Sequence, residues 1–112
     1  MTLASSTTRL YKRLGVSPTQ LVEFCEHWGI AELSLFGSVL RDDFRDDSDV
    51  DLLITFVPNA RKGLLTIAKM QNELETLLKR KVDLVSKKSV EHSRNYIRRQ
   101  AILASALVIY GA

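Results

Sequence analysis

The 112-residue sequence predicts a small α/β (α+β) domain, and three observations lead to that class. A hydrophobic content of 46% against 26% charged residues fits one globular domain with a sizeable core. Three short apolar runs, Glu32 to Phe36, Val50 to Val57 and Lys81 to Ser86, read as strands. Between and after them lie stretches whose apolar residues recur at helical spacing.

Met1 to Thr8 is small and polar and Arg9 to Leu14 reads as a short helical turn, so 1–16 is expected to be a loose N-terminal segment preceding a domain over 17–112. Ser17-Pro18-Thr19-Gln20 is a capping box with proline at the first helical position. Leu21, Phe24, Cys25 and Trp28 then share one side of a helix that Gly29 ends. Strand one, Glu32 to Phe36, leads straight into Gly37, and Val39 to Phe44 is expected to begin a short helix. Strand two stops at the turn signal Pro58-Asn59. A helix over about Lys62 to Lys79 places Leu64, Ala68, Gln71, Leu74 and Leu78 on one side, widened by Ile67 and Leu77, to cover the face of the sheet away from the carboxylates. After strand three, a last helix over Ser93 to Tyr110 carries Ile97, Ala101, Ala104 and Val108 in a stripe, with Ile102, Leu103 and Leu107 broadening it. Such a width predicts burial on two sides, by the domain and by another chain.

The residues that carry chemistry cluster where strands begin and end. Gly37 and Ser38 follow strand one; Asp49 and Asp51 flank the start of strand two; Asp83 lies in strand three. Glycine accepts positive φ and close approach of a ligand, and a serine hydroxyl donates to phosphate oxygens. Residues two apart in a strand share a face at roughly 6.6 Å, near enough for both carboxylates to serve one metal ion or a pair roughly 4 Å apart. Three converging carboxylates repel one another unless a cation such as Mg²⁺ lies between them. A match of four fixed positions by accident has a probability on the order of 10⁻³, which favours a site over a solvated acidic loop. A calcium loop is disfavoured, because Asp42, Asp43, Asp46, Asp47, Asp49 and Asp51 do not follow helix-loop-helix ligand spacing and no glutamate stands at the twelfth position.

Leu35-Phe36-Gly37-Ser38-Val39-Leu40-Arg41 followed by Ser48-Asp49-Val50-Asp51-Leu52-Leu53 resembles the signature of the minimal nucleotidyltransferases of the polymerase beta superfamily, with similarity running from about Leu21 to the C-terminus. The resemblance implies a polymerase-beta-like fold with a three-stranded mixed sheet covered by helices. It also implies that Gly37 and Ser38 hold a nucleoside triphosphate, ATP first among them, and that Asp49, Asp51 and Asp83 ligate two Mg²⁺ ions. Asp83 would act as general base, and Arg41 would reach phosphate or tie down the acidic loop. The chain departs from the family pattern at Leu40, usually alanine, and Asp42, usually glycine. A Cβ at the latter position restricts the turn, and a carboxylate beside a polyanion is unfavourable unless it points away, so both departures bear on nucleotide affinity more than on metal binding. Members that resemble this chain are commonly paired with a HEPN-type toxin, which implies an antitoxin that adenylylates a tyrosine of its partner. The alternatives are a non-catalytic module that neutralises the partner by contact and a small-molecule nucleotidyltransferase of the antibiotic type.

Composition limits the remainder. The chain is expected to be too short for a separate acceptor domain, and it has neither a membrane-length apolar run nor a secretory signal, which predicts a cytoplasmic location. The formal charge of +3 is small, and aromatics make up 7% of residues and fall mostly at apolar-periodic positions, against a dedicated nucleic-acid binder. Cys25, the single cysteine, reads as core packing. His27 reads as a surface or capping residue and Tyr96 and Tyr110 as packing residues, while His92 follows strand three and its place relative to the rim of the site is left open by the sequence.

Overall fold

Ser17 and Gln20 start the first regular helix by satisfying each other's backbone. In a computed structural model that describes residues 11–12, 14–40, 45, 48–58 and 64–111, with the backbone alone described at Ser38 and Leu64, the Gln20 amide donates to Ser17 Oγ at 3.2 Å and the Ser17 amide donates to Gln20 Oε1 at 3.0 Å. Helix α1 runs Pro18–Trp28 and ends at Gly29, whose φ of 68° is the left-handed conformation of a glycine cap. Strand β1 (Ile30–Phe36) follows directly and passes into a 3₁₀ turn, Gly37–Leu40.

Strand β2 (Val50–Phe56) pairs antiparallel with β1 and parallel with β3 (Val82–Ser86), and helix α2 (Leu64–Leu78) makes the crossover that a parallel pair requires. The 57-to-63 connection is described only through Pro58. Two short helices come next, α3 (Lys87–Glu91) and α4 (Tyr96–Ser105), and then strand β4 (Leu107–Tyr110) returns antiparallel to β1. The sheet order is β3-β2-β1-β4.

This corrects two expectations. The sheet has four strands, not three, and the last helix ends at Ser105 instead of continuing to Tyr110. Leu107-Val108-Ile109-Tyr110 combines β-branched and aromatic residues, which suit a strand, and β1 offers it an unfilled edge. The helical stripe predicted through Ile97, Ala101 and Ala104 faces outward, with Ile97 81% exposed, while Ile102 is buried and Leu103 half-buried on the other side. Tyr96, expected to pack, is exposed with the Arg99 guanidinium 5.2 Å from its ring centre.

Side-chain alternation divides the sheet cleanly. Leu33 and Leu35 of β1, Val50, Leu52 and Ile54 of β2, and Val82 and Leu84 of β3 are buried in the cluster that includes Phe24 of α1 and Met70, Leu74 and Leu78 of α2. On α2 the predicted Leu74 and Leu78 are buried and Ile67 and Leu77 pack against the same core, but Met70, outside the predicted stripe, is fully buried and Ala68, within it, is exposed. Helix α2 also covers the outer edge of β3, since Val82 and Leu84 donate their amides to Glu75 Oε2 at 3.0 Å and Gln71 Oε1 at 3.4 Å. Tyr11, Leu14 and Val16 join this core, and the Tyr11 hydroxyl donates to the Ile109 carbonyl at 3.2 Å. The part of 1–16 that lies within the described residues is therefore packed, because its apolar side chains reach the sheet. The opposite face carries a smaller cluster of Phe36, Leu53, Val90 and Ile102, roofed by α3 and α4.

Cys25 is completely buried, and desolvation first, with the Glu26 charge second, raises its pKa from 9.0 to about 12. Such a thiol stays protonated and packs as a small hydrophobe. Because the folded pKa is the higher one, the unfolded chain loses this proton first. The stabilisation is fully present below pH 9.0 and is lost as pH rises toward about 12. Unfolding free energies measured from pH 8 to pH 10.5 are expected to fall more steeply for the wild type than for Cys25→Ala, by up to about 1.4 kcal/mol per pH unit. Parallel slopes would show that Cys25 does not contribute to the alkaline limb.

Candidate active site

The end of β1 and the starts of β2 and β3 meet at one end of the sheet. Phe36 pairs with Asp51 across the antiparallel ladder, and Asp51 pairs with Asp83 across the parallel one. Side chains at paired positions of adjacent strands share a face, and neighbouring strands are about 4.8 Å apart. Asp51 and Asp83 are thus side by side on the face roofed by α3 and α4, opposite the α1–α2 core. Asp49 stands immediately before β2, outside the ladder, and the Val50 amide that follows it donates to the Lys81 carbonyl at 3.0 Å. The neighbouring positions Val50 and Val82 point into the large core and anchor the register from below.

Gly37 stands against this row. Its φ of 76° is left-handed, and a Cβ built on it would collide with Asp51 Oδ2 and lie 3.2 Å from Asp51 Cγ. Conformation and space both require glycine here, and the second requirement places the turn in contact with the carboxylate. Val39, two residues on, is fully buried, and Leu40 is half-buried against the large core. The leucine that departs from the family pattern is therefore accommodated by packing. Of Ser38 only the backbone, in the 3₁₀ turn, is described; its hydroxyl, Arg41 and Asp42 lie outside the described residues, as does the part of the predicted 39–44 helix beyond Leu40.

Asp51 is half-buried and Asp49 and Asp83 are exposed. Among the described residues no three His, Cys, Asp or Glu side chains are gathered closely enough to form a ready-made metal cage. The strand register aligns the aspartates, and mutual repulsion keeps like charges from closing up unaided. Hard, hydrated oxygen donors of this kind fit Mg²⁺, which keeps several waters and takes one or two carboxylates together with substrate phosphates. The dry cluster of Phe36, Leu53 and Ile102 borders the row along the same face.

Arg80 has no role in the sequence reading, where it is one of three consecutive cations, Lys79-Arg80-Lys81. In the structure it is half-buried and bonded to the backbone that leads into Asp49. Only long-range contact separates it from its neighbours. His92 caps the C-terminus of α3 through its amide, which donates to the Lys88 carbonyl at 3.1 Å. No helix among the described residues is long and apolar enough to cross a membrane.

Known proteins share this fold. A family model described as a nucleotidyltransferase domain matches residues 19–106. The chain is 39% identical to the protein adenylyltransferase MntA of Thermococcus cleftensis over 71 residues, which is 62% of this chain and 68% of that one. A solved structure assigned as a minimal nucleotidyltransferase superposes with a TM-score of 0.63 at 29% identity, covering 96% of this chain and 98% of the other. A tri-AMPylated HEPN toxin of Shewanella oneidensis in complex with its MNT antitoxin contains a chain that matches with a TM-score of 0.55 at 16% identity, over 85% of this chain and 70% of that one, a likeness of fold alone.

Proposed function

This chain belongs to the nucleotidyltransferase domain family, and from that premise we propose that it moves AMP from ATP to a hydroxyl of a partner protein, a tyrosine of a HEPN-type toxin, and so acts as that toxin's antitoxin. The observation that carries the proposal is the Asp51–Asp83 pairing beside the Gly37 turn. The name of the Thermococcus relative and the AMPylated toxin bound to the Shewanella antitoxin support the choice of group and acceptor.

Asp49 and Asp51 are the residues that would hold Mg²⁺, with Asp83 joining them for a second ion. When bound, the two cations neutralise triphosphate charge and make the acceptor hydroxyl more acidic. The side chains do the rest. Gly37 lets the backbone of the turn approach the phosphates, and the Ser38 hydroxyl and Arg41 supply further donors. The acceptor oxygen bonds to the α-phosphorus as the bond from that phosphorus to the bridging oxygen breaks, and pyrophosphate leaves. Asp83, exposed at the row's edge, takes the hydroxyl proton on a carboxylate oxygen. A tyrosine suits this base best, because its pKa of about 10 lies well below that of an aliphatic alcohol. The exposed Tyr96 and Ile97 of α4 give the partner an apolar place to rest.

Incubating the chain with α-labelled ATP, Mg²⁺ and a co-expressed partner tests the reading. Label that stays on the partner through denaturation and maps to tyrosine is the expected result. Tight association without label would replace the enzyme by a contact inhibitor.

A further inference from the structure

The backbone on either side of Asp49 is held by two consecutive residues from the far end of the α2 crossover. Upstream, Arg80 Nη1 donates to the carbonyls of Arg45 and Ser48, each at 3.1 Å. Downstream, the Val50 amide donates to the Lys81 carbonyl at 3.0 Å. Arg45 and Ser48 are also joined to each other: the Ser48 amide donates to the Arg45 carbonyl at 3.0 Å and the Arg45 amide to Ser48 Oγ at 2.9 Å. Lys79, at φ 58°, turns the chain out of α2 so that the next residue points back under this segment. The Arg80 guanidinium is half-buried and always charged, and its planar donors do not need reorganisation to meet two carbonyls.

We propose that Arg80 is a positioning residue for the metal-binding carboxylates: by fixing the carbonyl of Ser48 it sets where Asp49 stands relative to Asp51. The assignment rests on the reading of Asp49 as a Mg²⁺ ligand. Outer residues that orient metal ligands matter because a carboxylate free to wander must be ordered when the ion binds. Arg80 touches neither nucleotide nor acceptor in this scheme; it acts through backbone. Both bonds leave one nitrogen, Nη1, so a lysine ammonium matches it in donor number but not in reach or planar orientation, and it should restore only part of the effect.

The test uses the full chain with a non-hydrolysable ATP analogue and Mn²⁺ as the probe, free Mn²⁺ being read by electron paramagnetic resonance. Arg80→Met is expected to keep its circular dichroism while the Mn²⁺ concentration at half-saturation rises about 10- to 100-fold, with Arg80→Lys falling between it and the wild type. The Ser48 amide should exchange with deuterium at least about tenfold faster in Arg80→Met, since its turn loses the anchor. Should Arg80→Met fail to fold, Arg80→Lys carries the same comparison. Half-saturation within about twofold of wild type in a folded Arg80 variant, alongside lost binding in Asp49→Asn, would overturn the positioning role. Undiminished Mn²⁺ binding in Asp49→Asn would instead sink the ligand assignment itself, and this proposal with it.

Discussion

An Asp51→Asn protein is expected to melt close to the wild-type temperature and still bind its partner, yet transfer AMP on the order of 10³-fold more slowly. Asp51 is the hub of the row: it pairs with Phe36 on one side and Asp83 on the other, and Gly37 lies against its carboxylate. Asparagine keeps the shape, so the half-buried site and the ladder survive. The negative charge that attracts a divalent cation does not. Removing one of several like charges also relieves repulsion, which argues against a large loss of stability. The same substitution at Asp49 should behave alike. Transfer that persists at more than about a tenth of the wild-type rate in both variants would place the chemistry elsewhere. Equal loss of activity and of melting temperature would reduce Asp51 to a structural residue.

Gly37→Ala should damage both stability and activity, and for separable reasons. A non-glycine residue at a φ of 76° carries a backbone penalty of roughly 1–2 kcal/mol. The added methyl also overlaps the Asp51 carboxylate, so either the turn or the aspartate must move. A displacement near 1 Å in a site that works by positioning costs about 10²-fold in rate. The double variant Gly37→Ala with Asp51→Ala removes the collision and leaves the strain, so it should recover part of the melting temperature and none of the activity. Full activity in the single variant would mean that the turn does not need to approach the phosphates.

Much of this was legible because it is local. The Ser17–Gln20 box, the Gly29 cap and the Phe36-Gly37 junction each declare themselves within four residues, and the structure has all three. Asp49 and Asp51 were picked out by their spacing of two at the start of a strand, although β2 begins only at Val50 and takes in Asp51 alone. What the sequence does not contain is the partner of each strand. That Asp83 pairs with Asp51, and not with Asp49 or Leu53, is set by the α2 crossover and by Val50 and Val82 meeting in the core. Strand β4 was hidden for the same reason: Ile102 to Tyr110 satisfies helical spacing locally, and only pairing with β1, more than seventy residues upstream, makes the strand the better outcome. Met70 was missed on α2 because it borders the stripe of Leu74 and Leu78, and only contact with the sheet decides how far the buried side extends around the helix. Arg80 is the extreme case, since its bonds to Arg45 and Ser48 span more than thirty residues and leave no pattern in the chain.

A crystal structure of the chain with Mn²⁺ and a non-hydrolysable ATP analogue, with the ion located by anomalous scattering, is the most direct measurement. Manganese bound jointly by Asp49 and Asp51, with a phosphate oxygen completing its shell, the α-phosphate on the Asp83 side and the Gly37 turn against the phosphates, is the predicted result. An ion held away from Asp51, or a nucleotide lodged on the α1–α2 side of the sheet, would contradict it.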